Sequence, residues 1–293
     1  MIYQPNIENK VELTHICEGK TYESCNCVLP ENLNILYAGD AMNVMPFIPP
    51  DTFDLIYLDP IYFLQREIDL FIPKHGGIYG DITKNYDNAY VDRYFKFKGY
   101  DQFKNIGGEY VAFMNDFVYS IFKLLKQGGY LVWQTNFSSS YLSKQVGSNV
   151  FGNRSLLKSE FWDYYSCKFN KDFYEILIYQ KNRFFRRSSY PYVHHSNFTT
   201  IENRDYPTQK PSHLLKYFLN NYSKEGDLVG DFTCGSGAFL TESSLLNRRW
   251  FGCDINPLAI ESTLNRFVSN QVLRGKPDII VEYENKKEKE LVS

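Results

Sequence analysis

The 293-residue sequence predicts an α/β protein, a sheet covered by helices on both faces. Three observations carry that expectation. Short apolar runs end in Asp, a Gly-rich turn stands between one such run and a helix, and wide apolar helical stripes fill the spaces between runs.

In chain order, Asn34 to Asp40 (NILYAGD) and Phe53 to Pro60 (FDLIYLDP) are the first two runs. An apolar run that reaches a polar end in Asp is the pattern of a buried parallel strand. Tyr110, Phe113, Met114, Phe117, Val118, Ile121, Leu124 and Leu125 then make one broad helical stripe. Gly128-Gly129 is read as the stop of that helix, and Tyr130 to Trp133 as the next strand. Phe173 to Gln180 is another strand. Ser212 is read as the cap of a helix with Leu215, Phe218, Leu219 and Tyr222 on one face. Asp227 to Asp231 is a strand, followed by the Gly-rich turn, a helix from about Ala238 to Asn247 and a strand from Trp250 to Asp254. Residues 34–275 are expected to form a single domain, with residues 1–33 as an N-terminal extension and residues 276–293 as a charged, solvated tail. Two long polar segments, 63–105 and 183–206, fit this scaffold poorly and read as functional inserts.

Composition removes several classes. Lys plus Arg number 32 against 34 Asp plus Glu, a net charge of −2, which excludes holding a polyanion by bulk positive charge. No apolar run approaches the ~20 residues of a membrane span, and the polar start from Met1 to Lys10 has no secretory core. Six Cys in such a long chain are no disulfide framework, and a reducing cytoplasm is the expectation. Aromatic residues reach 17%. They fit a surface that stacks on bases, and equally AT-rich codons with aromatics spent in the core.

Three motifs carry chemistry. Asp231-Phe232-Thr233-Cys234-Gly235-Ser236-Gly237 joins a strand to a helix, where glycine admits a ligand close to the backbone and the helix start favours negative charge. Asp254, ending the next strand, is placed to accept bonds from ribose hydroxyls. A dinucleotide fingerprint would need a third Gly where Leu240 stands, which weakens a dehydrogenase reading. Asp59-Pro60-Ile61-Tyr62 ends an apolar strand. An Asp there is often only a cap. It also fits an acceptor site, because an exocyclic nucleobase amine is a poor nucleophile until its two N–H groups are fixed on two acceptors. The Asp59 carboxylate and the Pro60 carbonyl supply two, and Tyr62 a stacking ring. Tyr206-Pro207-Thr208-Gln209-Lys210-Pro211 is by itself a turn before a helix.

In this order the motifs resemble the amino-methylating DNA methyltransferases of the permuted β class, over roughly Asn34 to Asn265. "DLIYLDPIY" resembles the catalytic strand, "YAGDAMNVM" the segment upstream, "YPTQKP" the late turn, and "GDLVGDFTCGSG" with "WFGCDINPLAI" the cofactor strands. "VFGNRSLLKSEFW" and "FYEILIYQK" resemble the middle of such enzymes. The resemblance implies a Rossmann-like methyltransferase sheet with circularly permuted motif order and S-adenosylmethionine as cofactor. It implies Asp59, Pro60 and Tyr62 as the catalytic set. The cofactor set it implies is Asp40, Ala41, Thr208, Gln209, Lys210, the turn from Asp231 to Gly237 (Asp231, Phe232, Thr233, Cys234, Gly235, Ser236 and Gly237), Asp254 and Ile255. Ile61 stands where the family has a second Pro, and Thr233 departs from the family's aromatic turn. The expected reaction is direct transfer of a methyl group to the N6 amine of adenine in double-stranded DNA, without a covalent enzyme intermediate. N4-cytosine methylation is the alternative, and a non-catalytic nucleotide- or DNA-binding module the alternative of another class. The resemblance further implies a bacterial or phage restriction–modification or epigenetic setting, with a homodimer and a cognate restriction nuclease as candidate partners.

Recognition of DNA is expected from the two inserts. Lys74, Arg93, Lys96, Arg183, Arg186, Arg187 and His194 are the candidate contacts along one basic, aromatic cleft. Solvated loops with ordinary charges are the competing reading. His15, Cys17, Cys25 and Cys27 put four zinc-type ligands close together, at a spacing that is not a standard one. The competing reading there is plain thiols near the chain end.

Overall fold

The computed structural model describes residues 34–60, 72–74, 78–80, 108–136, 140–153, 155–164, 173–183, 192–196, 210–270, 272 and 279–283. The main sheet is built from β1 (Asn34–Ala38), β2 (Phe53–Leu58), β5 (Leu125–Asn136), β6 (Leu156–Tyr164), β7 (Phe173–Gln180), β8 (Tyr192–Ser196), β9 (Leu228–Asp231), β10 (Arg249–Asp254) and β11 (Ile279–Tyr283). A separate antiparallel pair, β3 (Ile72–Lys74) and β4 (Ile78–Gly80), lies within the 63–105 segment. The nine strands stand in the order β11-β1-β10-β9-β2-β5-β7-β6-β8. Among these strands only β7 runs against its neighbours, β5 and β6. The carboxyl ends of the other eight therefore share one edge, joined there by the amino end of β7.

The helices divide by face. Helix α1 (Ala41–Val44), α2 (Gly108–Leu124) and α3 (Ser140–Phe151) pack on one side of the sheet, where Val44, Phe117, Ile121, Val146 and Phe151 join Ile56, Leu58 and Trp133. Helix α4 (Ser212–Tyr222), α5 (Ala238–Leu245) and α6 (Pro257–Ser269) cover the other, where Leu215, Phe218, Phe239, Leu240 and Phe267 meet Leu55, Tyr57 and Trp250. Strand β2 is buried on both faces, as its nearly unbroken apolar sequence requires. The expected two-faced α/β sheet is thus the observed one.

Five local expectations are corrected. Helix α2 ends at Leu124, before Gly128-Gly129; the glycines instead lie inside β5, at a shift in its register with β2. A Cβ on Gly129 would stand 3.0–3.1 Å from the carbonyls of Lys126, Asp54 and Phe53, so the glycine serves a close strand approach. Phe113 sits at the edge of the α2 stripe and is 38% exposed, not on the core face. Ser212 is the first residue of α4 rather than its cap. Pro211 holds the cap position, and the Ser212 hydroxyl donates to Glu242 Oε1 on α5 at 2.5 Å. Residues 279–283, expected in the solvated tail, form β11 beside β1, because Ile279-Ile280-Val281 is apolar enough to pair on a buried strand. The 183–206 segment likewise contributes β8, parallel to β6.

Candidate active site at the carboxyl edge

Neighbouring strands deliver carboxylates to the shared edge. Strand β1 leads to Gly39 and Asp40, β2 to Asp59 and Pro60, β9 ends in Asp231, and β10 ends in Asp254. The Gly39 N–H donates to the Asp254 carbonyl at 3.0 Å, extending the β1–β10 pairing to the site. Asp40 caps α1, accepting from the Met42 N–H at 3.0 Å. Ala41 is buried just behind it.

The turn after β9 is held from several sides. Gly235 and Gly237 have φ of 51° and 67°, the left-handed region open to glycine. A Cβ on Gly237 would lie 2.5 Å from the Thr263 methyl carbon. The Gly235 N–H donates to Asp254 Oδ2 at 2.8 Å, and the Asn256 N–H to Oδ1 at 2.8 Å. From α6, the Thr263 hydroxyl donates to the Gly235 carbonyl at 3.0 Å and Arg266 Nε to the Ser236 carbonyl at 2.7 Å. The Cys234 N–H donates to the Cys253 carbonyl at 2.9 Å. Cys234 and Ser236 are buried, and the Phe232 ring points into the core, edge-on to Phe53 with centroids 5.7 Å apart. Ile255 is half-buried behind Asp254. The space that a third turn glycine gives a dinucleotide fold is supplied here by the opposite partner. Leu240 of α5 lies over Gly252 of β10, where a Cβ would stand 2.3 Å from Leu240 Cδ1.

Negative charge dominates this edge. Burial pushes Asp231 well above the usual carboxylate range. The Thr233 N–H, 3.1 Å away, pulls it back, while the charges of Asp59 and Asp254 raise it further. Burial also pushes Asp254 up to about 6, against the backbone N–H groups of Asn256, Gly235 and Ile255. The Cys234 thiol is driven up by burial and then by Asp254 and Asp231, which makes it a poor nucleophile. The counter-charge facing Asp59 is Lys210. Its ammonium pairs with Asp59 Oδ2 and lies 5.6 Å from the centroid of the Tyr174 ring. Asp59 and Lys210 are both largely buried.

The structure therefore brings together Asp40, Asp59, Pro60, Lys210, the turn from Asp231 to Gly237, and Asp254. It does not bring Arg183 to them. Arg183 is exposed just beyond the carboxyl end of β7, whereas Tyr174, near the amino end, stands opposite Asn136 at the site edge. At about 3.3 Å per residue this strand separates Arg183 from the site by more than ~20 Å. Lys74 ends β3, and His194 pairs in register with Trp162 near the carboxyl end of β6. Tyr62, Thr208, Gln209, Arg93, Lys96, Arg186, Arg187 and the cluster of His15, Cys17, Cys25 and Cys27 lie outside the described residues. Among the described residues no group of three His, Cys, Asp or Glu could hold a metal, and no helix is long and apolar enough to cross a membrane. Sequence reasoning misses Tyr174, Thr263 and Arg266. The i, i+3 spacing of Thr263 and Arg266 on one helix is the only signal for them.

A glycine turn and strand-end carboxylates at the carboxyl edge of a sheet define an α/β protein of the class that takes a nucleotide-like ligand in that crevice. Within the class, residues 53–265 match the N6/N4 family described as DNA methylase, and the chain belongs to that family. It is similar to the type II methyltransferase M.HpaI of Haemophilus parainfluenzae, 26% identical over 252 residues that are 80% of this chain and 74% of that protein. A stretch of 70 residues, 24% of this chain, is 39% identical to the type II methyltransferase M.EcaI of Enterobacter cloacae but spans only 16% of that protein. The fold is shared with a DNA modification methylase of Thermus thermophilus solved in complex with S-adenosyl-L-methionine. That likeness has a TM-score of 0.57 at 15% identity, over 87% of this chain and 99% of that one.

Proposed function

We propose that the protein binds S-adenosylmethionine and transfers its methyl group to the exocyclic N6 of adenine in double-stranded DNA. The observation that carries the reading is the adjacency of two strand ends. Strand β2, bearing Asp59 and Pro60, pairs directly with β9, which opens into the glycine turn. An acceptor pair for an amine and a cradle for a nucleoside cofactor thus stand side by side. The residues fit this cofactor. Asp254 is ordered by two backbone donors and placed for ribose hydroxyls, the turn excludes a Cβ at Gly237, and the carboxylates of Asp59 and Asp254 favour a cationic guest.

When bound, the cofactor supplies an electrophilic methyl group on a sulfonium. The chain's part is positional. The Asp59 carboxylate and the Pro60 carbonyl accept the two N–H groups of the amine, drawing its nitrogen lone pair out of conjugation. A bond to an ionised acceptor of this kind contributes about 1.5–3 kcal/mol. Tyr62 stacks on the base, which has left the helix at a cost of a few kcal/mol. Most of the acceleration comes from holding donor and nitrogen together. Lys74, Arg93, Lys96, Arg186, Arg187 and His194 are assigned to DNA, and the early acceptor motif with a late glycine turn follows the permuted β-class order. The setting we assign is a restriction–modification or epigenetic system in a bacterial or phage cytoplasm, with a homodimer and a cognate nuclease as candidate partners.

The test is nucleoside analysis of DNA incubated with purified protein and methyl-labelled S-adenosylmethionine. N6-methyladenine is expected. N4-methylcytosine would overturn the choice of base, since Asp59 and Pro60 serve either amine. No labelled nucleoside, in a preparation that leaves DNA unmodified at any protein concentration, would overturn the reading. Asp59→Ala should abolish labelling while cofactor binding persists.

A further inference from the structure

Lys210 precedes the Pro211 cap of α4, in the turn that the resemblance gives to the cofactor. Its ammonium is elsewhere: paired with Asp59 Oδ2 and above the ring of Tyr174. Asp231 on β9 feels Asp59, Asp254 and Lys210 alike. Among the described residues, Lys210 from the turn before α4 pairs with Asp59, and Asp231 of β9 feels the charge of Asp59, with Asp254 of β10 also acting on Asp231.

We propose that Lys210 is a positioning residue for Asp59, holding that carboxylate aimed as the acceptor of the target amine. The proposal rests on the reading of the site as a methyl-transfer site. A charge-assisted bond to one carboxylate oxygen fixes the plane of the group, and with it the direction in which the group accepts. Lys210 supplies the cation at hydrogen-bond distance, and the Tyr174 ring face gives the ammonium a second favourable contact at the same spot.

The experiment compares Lys210→Met and Lys210→Arg with the wild-type protein on DNA carrying its methylation site. It measures kcat, KM for DNA and cofactor Kd near neutral pH. Lys210→Met should lower kcat about 10- to 100-fold near neutral pH with cofactor Kd within about threefold. Lys210→Arg should restore most of kcat. If Lys210→Met is insoluble, Lys210→Gln carries the same expectations. Unchanged kcat overturns the proposal. So does a loss of kcat that Lys210→Arg fails to restore, which is a structural effect, and so does weakened cofactor binding with intact kcat at saturation. A lower KM for DNA with unchanged kcat also overturns it, because Lys210 would then merely compete with the amine. A wild-type protein that methylates no DNA fails the underlying reading instead, before any variant is compared.

Discussion

Asp254 accepts two backbone N–H bonds, yet burial still moves its carboxyl from the ordinary 3.8 to about 6. The sign follows from the direction. A raised carboxyl is protonated at mild acidity, and a protonated Asp254 loses part of its capacity to accept from ribose. Cofactor affinity should therefore be level above about pH 7 and fall about tenfold per unit below the folded value. Calorimetry from about pH 5 to 8 reads this directly, and Asp254→Asn should bind weakly with no such slope. Gly237 offers a second residue-level test. An Ala there needs φ of 67° and puts a Cβ 2.5 Å from Thr263. Left-handed strain alone costs about 1–2 kcal/mol. Gly237→Ala should lower the urea midpoint and weaken cofactor binding together; a variant as stable as the wild type would show that the turn has slack. The carboxylates are legible in the sequence because each ends an apolar run. Tyr174 is not, because it reaches the site only through antiparallel pairing of β7 with β5, and pairing partners are not written along the chain.

Among elements, α5 and β10 interlock through Leu240 and Gly252. Gly252→Ala should destabilise the protein by about 1–3 kcal/mol through overpacking. Leu240→Ala, which opens a void by itself, should remove most of that penalty in the double variant. A double-mutant cycle by chemical denaturation measures the coupling, and additive losses would refute the interlock. The 183–206 segment also divides. Arg183 lies at the far end of β7 from the site, so Arg183→Ala should leave DNA affinity and its salt slope unchanged, whereas neutralising Arg186 and Arg187 together should lower both. The elements most legible in the sequence are those with strong patterns. Phe173–Gln180 is a strand with the bounds its composition suggests. Helix α3 escapes because serines and asparagine dilute its stripe, and its packing depends on Gly147, where a Cβ would collide with the Tyr179 ring. Strand β11 escapes because a short apolar run sits among charges.

For the molecule as a whole, the sheet joins two kinds of neighbourhood. Strands β5, β6 and β7 come from one stretch of chain between residues 125 and 180 and pair with one another. Strand β1 pairs with β10 and β11, which follow it only near the far end of the sequence. Deleting residues 279–293 should leave β1 as an edge strand, lowering the thermal midpoint and promoting aggregation, which scanning calorimetry and light scattering would detect. Charge is unevenly spread within the near-zero net: residues 63–105 hold seven Lys and Arg against six Asp and Glu, whereas residues 183–206 hold four Arg against two acids, so the second insert is the more basic one. The wide separation of β1 from its partners also bears on biosynthesis. On the ribosome, the β5–β7 ladder can assemble while the glycine-turn half is still unsynthesised, and β1 must wait for the last strands to emerge. The half of the sheet proposed to recognise a small molecule is thus the last to become native, and that ligand would be a natural aid to its completion.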